Sequence, residues 1–443
     1  MQKKLFLKLA IIALLSMSLL VPLAMIEAQI AARGERQADV LRDIAASAAG
    51  EQTLLGPVLA VHYRERVTVR DKDPQTGRET LRQEEVERVT VLPPLRLDID
   101  GDARVEARNR GLYRANLYRL GLQLRGRFQV PPGLGLAPDR DIVGARAFLV
   151  LGVSDPRGID EDPQVTVDGK PHRFATGSAK AFTSPGLNVA LGEIDPLAGA
   201  TMDFAVPLAL TGTSRLAIAP AGDSTKVTLR SAWPHPSFQG RFLPIDRTVS
   251  SDGFEARWQV SHLARDFGRV LASDTDPSRR ETLEVSFVEP VNVYLQGERA
   301  VKYGVLFVVL TFAAFFLFEV LRRLPIHPLQ YLLVGLALAL FFLLLVALSE
   351  HVPFALAYAV SATACVALIG TYLAGALGSR LRGASFSLGI AALYGVLYGV
   401  LRSEDNALLM GSLLLFAALG ATMLATRRVD WYQLGTPSSQ AGR

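Results

Sequence analysis

Cysteine is almost absent from these 443 residues: the single one, Cys365, lies inside an apolar segment. No intramolecular disulfide can form, so the polar middle of the chain must be held by its own core. Histidine is scarce as well, and His62, His172, His235 and His262 stand singly. A zinc site needs three or four converging ligands, and no such spacing occurs. The Gly-x-Ser-x-Gly, His-Glu-x-x-His and phosphate-loop patterns are missing. Asp155, Asp160, Glu161 and Asp162 lie close together but lack the ordered oxygen ligands and Gly turn of a calcium loop, so they read as a solvated loop. No catalytic residue, metal or cofactor is expected. The net charge is +5, yet no basic stripe is interleaved with aromatics, and nucleic acid is not an expected partner.

Charge itself is missing from most of residues 301–426, whereas the middle of the chain is rich in Arg, Asp, Glu, Pro and Gly. An apolar run of about twenty residues can cross a bilayer as a helix. The first run, 9–26, follows Lys3, Lys4 and Lys8. It exceeds the roughly 7–15 residues of a signal-peptide core, which favours a retained anchor over a cleaved leader. Further spans are expected at 301–318, 328–348, 353–377, 384–401 and 407–426.

Arg322, Arg323 and His327 connect the second and third spans, Arg380 and Arg382 the fourth and fifth, and Arg427 and Arg428 follow the sixth. The other connectors hold Glu350 and His351, or Arg402, Glu404 and Asp405. By the positive-inside rule this alternation puts both termini in the cytoplasm and residues 27–300 outside, in the periplasm of a Gram-negative cell. Trp431, Tyr432, Tyr303 and Tyr331 fall at span ends, as interfacial anchors do.

The expected fold is therefore a membrane protein of six transmembrane α-helices, one N-terminal and five C-terminal, with a large β-rich periplasmic domain between the first and second. The expected parts are 1–26 (stub and anchor), 27–300 (periplasmic domain), 301–426 (five-helix bundle) and 427–443 (cytoplasmic tail).

Val40, Leu41 and Ile44 recur at helical spacing and predict a stalk helix over 31–49. Beyond it, strands are expected at 86–91, 95–99, 147–153, 202–210, 226–231, 256–259 and 283–288. Leu95, Leu97 and Ile99 should share one face, 111–128 should form a hairpin, and Asp168-Gly169 suits a two-residue hairpin turn. Residues 131–141 and 176–196 read as loops, with a possible boundary near the second. The whole predicts a sandwich-like domain, or two.

Glu319, Glu350, His351, Glu404 and Asp405 all fall at span ends, where solvation and helix capping explain them. A sharper reading gathers Glu350, His351, Glu404 and Asp405 on the outer face with Arg299 and Lys302, as a cluster coupling domain to membrane and open to titration through His351. Gly370 with Ala374, Gly375 with Ser379 and Gly395 with Gly399 are spaced for close helix approach.

Several stretches carry a resemblance: Leu54-Leu-Gly-Pro-Val-Leu; Arg110-Gly-Leu-Tyr-Arg-Ala-Asn-Leu-Tyr; Ser237-Phe-Gln-Gly-Arg-Phe-Leu-Pro; Gly253-Phe-Glu-Ala-Arg-Trp; and Ser261-His-Leu-Ala-Arg. The strongest block runs from Val288-Glu-Pro-Val-Asn-Val-Tyr through Phe318-Glu, Ile326-His-Pro-Leu-Gln-Tyr and Leu348-Ser-Glu-His to Glu404-Asp-Asn-Ala and Thr426-Arg-Arg-Val-Asp-Trp-Tyr. The chain resembles the CreD family of bacterial inner-membrane proteins over nearly its whole length. The resemblance implies a non-enzymatic role in envelope integrity and in responses to β-lactam or envelope damage. It implies the lipid bilayer, an envelope component or another membrane protein as partners, and supplies no catalytic residues. Two other readings stay open: a transporter or channel gated by the outer domain, and an envelope-modifying enzyme at the domain–membrane junction.

Overall fold

The structure, a computed structural model, describes residues 2–72, 79–265, 281–287, 293–322, 326–376, 378–402 and 407–427. The chain divides into two compact units, Met1–Ala38 with Val291–Arg443, and Asp39–Pro290.

The second unit is a β-sandwich. Its strands are β1 (Gln52–Lys72), β2 (Glu79–Leu92), β3 (Arg96–Arg110), β4 (Tyr113–Val130), β5 (Asp141–Val153), β6 (Gln164–Val167), β7 (Lys170–Arg173) and β8 (Ala175–Thr176). There follow β9 (Gly186–Ile194), β10 (Ala200–Thr213), β11 (Arg215–Ala219), β12 (Ser224–Ser231), β13 (Ser237–Gly240), β14 (Asp246–Ser250), β15 (Gly253–Ser261) and β16 (Leu283–Ser286). One sheet runs β13-β16-β11-β1-β5-β9-β8, with β2 also on β1; the other runs β14-β15-β12-β3-β4-β10-β6-β7. The β1–β11 and β3–β12 pairs are parallel, and the other pairs are antiparallel.

Period-two alternation builds the core. On β4, Leu120, Leu122 and Leu124 point inward while Arg119, Gln123 and Arg125 face solvent. On β12, Val227 and Leu229 do the same. They meet Val58–Val61 and Leu149–Leu151 of the other sheet in one continuous cluster. That single cluster leaves no boundary near residue 180. The Asp168-Gly169 turn joins β6 to β7 with both residues at positive φ, 49° and 76°, the geometry a tight hairpin loop requires.

Three details differ from the sequence reading. Residues 113–130 are one long strand, and the hairpin is β3–β4, turning at Gly111-Leu112. Gly121 and Gly126 lie inside the ladder. At Gly126 a Cβ would fall 2.3 Å from the Arg96 carbonyl, so that glycine marks close packing instead of a turn. Within 176–196 lies β9, where Leu187, Val189 and Leu191 alternate; the flanking glycines hid it, and Gly192 follows a bulge opposite Ala147 and Phe148. Leu95 has the parity of Leu97 and Ile99 but precedes the first paired residue, and is exposed.

The helical unit contains α1 (Gln2–Ser18), α2 (Leu20–Ser47), α3 (Val293–Arg322), α4 (Pro328–Ser349), α5 (Phe354–Ala376), α6 (Arg380–Arg402) and α7 (Ala407–Thr426). Five stretches are long and apolar enough to cross a membrane: Phe6–Ser47, Val293–Val320, Pro328–Ser349, Phe354–Ala376 and Arg380–Arg402; α7 adds a shorter apolar helix, Leu409–Leu424. This is a membrane protein with a β-rich domain between its first helix and the rest. The α1–α2 break coincides with Pro22, whose ring lacks the N–H that would bond Ser18 and crowds that carbonyl. The second half of the anchor and the stalk, separate in the sequence reading, form one helix from Leu20 to Ser47.

Candidate functional site

The N-terminal helix has few polar residues in its apolar stretch, and the two cations that flank that stretch are both engaged. Lys8 pairs with Glu319 of α3 and donates to the Ile326 carbonyl at 2.9 Å. The other oxygen of Glu319 accepts from the Tyr331 hydroxyl of α4 at 2.8 Å. Twenty-five residues on, Arg33 donates to both oxygens of Glu350 at 3.1 Å, and the Tyr294 hydroxyl donates to Glu350 at 3.1 Å. Each end therefore carries a cation from the N-terminal helix, and a carboxylate and a phenol from the bundle.

Helical rise makes the Lys8–Arg33 interval about 37 Å. That slightly exceeds the roughly 30 Å of a hydrocarbon core. Tyr294 and Glu319 on α3 are separated by the same number of residues in the opposite direction. The two clusters are thus about one hydrocarbon thickness apart along the helices.

Between them runs an apolar seam. Leu19, Leu23, Ile26 and Ile30 recur at heptad spacing and are all buried. Gly335 of α4 receives Leu19, because a Cβ there would stand 2.2 Å from Leu19 Cδ1. Small residues let helices approach in lipid, where packing is the main attraction.

The local sequence explains the Glu319 cluster. His327 caps α4: its Nδ1 accepts from the Leu329 N–H at 3.2 Å, while Gln330 accepts from the His327 N–H at 3.3 Å, with Pro328 in the first turn. This capping box fixes the register that points Tyr331 at Glu319.

The far end of α2, inside the β unit, is gripped separately. Arg157 donates to the Ala46 carbonyl at 2.6 Å, satisfying an orphan acceptor of the last helical turn. Asp155 accepts from the Gly50 N–H at 3.0 Å and from Arg157. The Arg157 guanidinium, aided by backbone N–H bonds from Gly50 and Arg157, holds the Asp155 carboxyl down at about 2. Gly158 admits this packing, since a Cβ would meet Gln52 Nε2 at 2.3 Å and Ala49 at 3.1 Å. So the loop read as merely solvated has one member, Asp155, that ties a helix end.

The bundle interior is packed with aromatics: Phe307, Phe312, Phe315, Phe341, Phe342, Tyr331, Tyr358 and Tyr394 are buried. Tyr394 donates to Cys365 Sγ at 3.1 Å, and Tyr358 to the Tyr394 carbonyl at 2.6 Å. Gly370 and Ala374 pack on Ser387 and Gly383 of α6. Among the described residues no group of three His, Cys, Asp or Glu could hold a metal.

Of the expected outer-face cluster, Glu350 is the C-cap of α4 and is bound by Arg33 and Tyr294, neither of which sequence reasoning had singled out for it. His351 beside it is exposed. Lys302 pairs with Glu298 one turn away at 2.8 Å. Arg299 is exposed on α3. Glu404 and Asp405, and the anchors Trp431 and Tyr432, lie outside the described residues. Glu319, placed by the sequence at an interface, is 7% exposed. Tyr331 is fully buried against it and is not an interfacial anchor. The available signal was a cation at each end of one apolar run, facing a lone acid at the end of another.

A family model described as inner membrane protein CreD matches residues 4–432. The inner membrane protein CreD of Escherichia coli strain K12 is 35% identical over 427 residues, covering 96% of this chain and 93% of that one. Among solved structures, an M1 zinc metallopeptidase of Deinococcus radiodurans bound to a Tyr-Ser-Ala substrate is 12% identical with a TM-score of 0.21, spanning 44% of this chain and 42% of that one. The same peptidase in another structure gives 11% and 0.19. Those scores are too low to bear on fold or function.

Proposed function

This chain belongs to the CreD family of inner membrane proteins, and from that premise we propose that it supports envelope integrity and the response to β-lactam or envelope damage without catalysing a reaction. Its part in that role is mechanical. The β domain lies in the periplasm and both termini lie in the cytoplasm. The N-terminal helix carries load or movement from the domain into the bundle.

The observation that carries this reading is the pair of ion-paired clusters at the two ends of one helix, whose far end is tied to the sandwich by Arg157. A plain anchor needs neither cluster, because hydrophobicity alone retains it. The orientation rests on Lys3, Lys4, Lys8, Arg322, Arg323, Arg380, Arg382, Arg427 and Arg428 falling on one side. The aromatic filling of the bundle interior weighs against a transporter.

The test is complementation. In cells deleted for their own copy, wild-type protein should restore resistance to β-lactam and detergent, and Lys8→Ala with Arg33→Ala should not, at equal abundance in the membrane. Full rescue by that double variant contradicts the mechanical role.

A further inference from the structure

We propose that the tip of the β3–β4 hairpin is a membrane-surface contact that binds the headgroups of anionic phospholipids and inserts Leu112 among them. This goes beyond the envelope role and does not depend on it.

Residues 104–119 carry Arg104, Arg108, Arg110, Arg114 and Arg119 against one acid, Glu106: +4 in sixteen residues of a chain whose net charge is +5. The ladder pairs Arg104 with Arg119, Arg108 with Ala115 and Arg110 with Tyr113. Cross-strand partners share a face, so Arg104, Arg108, Arg110 and Arg119 all project from one side of the ribbon. Like charges placed directly opposite destabilise a ladder, and Arg104 faces Arg119 in just this way. The nearby acids reach these cations only loosely: Glu106 stands 4.0 Å from Arg119, and Asp43 stands 3.7 Å from Arg110. An anionic surface would relieve that repulsion.

The apex adds an apolar element. Gly111, at φ +64°, turns the chain and leaves Leu112 54% exposed beyond the arginines. An exposed leucine at the end of a ribbon whose one face carries arginines suits the headgroup boundary, where the apolar tip enters and the cations along that face stay with phosphate.

The neighbouring ribbon of β1 and β2 is built differently. Its Arg64 meets Glu85 at 3.2 Å, Arg66 meets the same Glu85 at 3.9 Å and Arg88 meets Glu65 at 2.5 Å. That ribbon neutralises itself, and the β3–β4 tip keeps a net positive charge. The choice of lipid over another polyanion rests on connectivity. The domain is joined at both ends to membrane-spanning helices in the same chain, so a bilayer is always at high effective concentration.

The experiment uses the full chain with Cys365→Ala, Leu112→Cys and a polarity-sensitive fluorophore on the new thiol, reconstituted in nanodiscs. Discs of zwitterionic phosphatidylcholine are compared with discs containing anionic phosphatidylglycerol. A blue shift confined to the anionic discs, reversed by high salt, is the expected result. Arg104→Gln with Arg108→Gln, both at exposed positions, should lower the docked-to-free ratio by roughly twenty-five-fold, on the order of fivefold per arginine. The same pair should leave the thermal midpoint no lower than wild type, since it removes the Arg104–Arg119 repulsion, which separates lost docking from lost folding. Equal emission in both discs overturns the proposal. So does a shift that survives the double substitution, or a response to soluble dextran sulfate with none to anionic lipid.

Discussion

Lys8 and Arg33 meet the same pair of partner types in different surroundings. Side-chain exposure is 26% for Lys8 and 45% for Arg33, while Glu319 and Glu350 are both 9% exposed. Lys8 also reaches the Ile326 carbonyl, and its glutamate is held by a tyrosine that a capping box aims. Arg33 is open to solvent, and its partner Glu350 is followed in sequence by the exposed His351. The Lys8 end is built into the bundle, and the Arg33 end is the one that salt and solutes can reach. If this helix carries a signal, its adjustable end is at Arg33.

The strongest way to break the comparison is to remove the seam on which both ends depend. Gly335→Leu would drive a side chain into Leu19 and should cost about 3 kcal/mol or more, since overpacking a filled site forces both helices apart. Thermal unfolding of the detergent-solubilised protein reads this as a large drop in midpoint. Next comes the buried end: Lys8→Ala leaves Glu319 and its tyrosine without a cation, at a cost of about 3 kcal/mol. Arg33→Ala should cost less, about 1 kcal/mol, because water can solvate what the exposed guanidinium leaves. If the two losses are equal, the ends do not differ as described. Raising salt sharpens the contrast, since it should weaken the Arg33 pair and spare the Lys8 pair.

The smallest effect concerns the third grip. Asp155 titrates at about 2 in the folded domain, below its unfolded value of roughly 3.9. A depressed carboxyl contributes stability that is fully present above the unfolded pKa. That stability is lost as pH falls from about 4 to about 2. Asp155→Asn should be less stable than wild type at neutral pH, and the gap should narrow through that window. A gap constant from pH 7 to pH 2 contradicts the assignment.

Much of this architecture was legible. Apolar runs and connector charges gave the spans, and alternation gave most strands, because sandwich cores need period-two burial. The β9 strand was hidden by its flanking glycines, and 111–128 was read as a hairpin because a strand of 18 residues is far longer than the usual length of about five or six. The site was less legible. Glu350 was chosen for its place at a span end, but its partner Arg33 lies 317 positions away in sequence. Lys8 read as a topology signal and Tyr331 as an interfacial anchor, and both readings conceal a contact with Glu319. The heptad Leu19, Leu23, Ile26, Ile30 was visible in the sequence, but a hydrophobic anchor hides its own packing face.

The central claim is that the N-terminal helix is a bound member of the bundle, held by its two cations. Leu19→Cys with Gly335→Cys, in a Cys365→Ala background, tests it in intact membranes. Replacing Leu19 removes the atoms that would collide and brings two thiols to the seam. Rapid disulfide formation is expected, slowed severalfold when Lys8 and Arg33 are both alanine. No crosslink with the cations intact, or an undiminished one without them, would contradict the account.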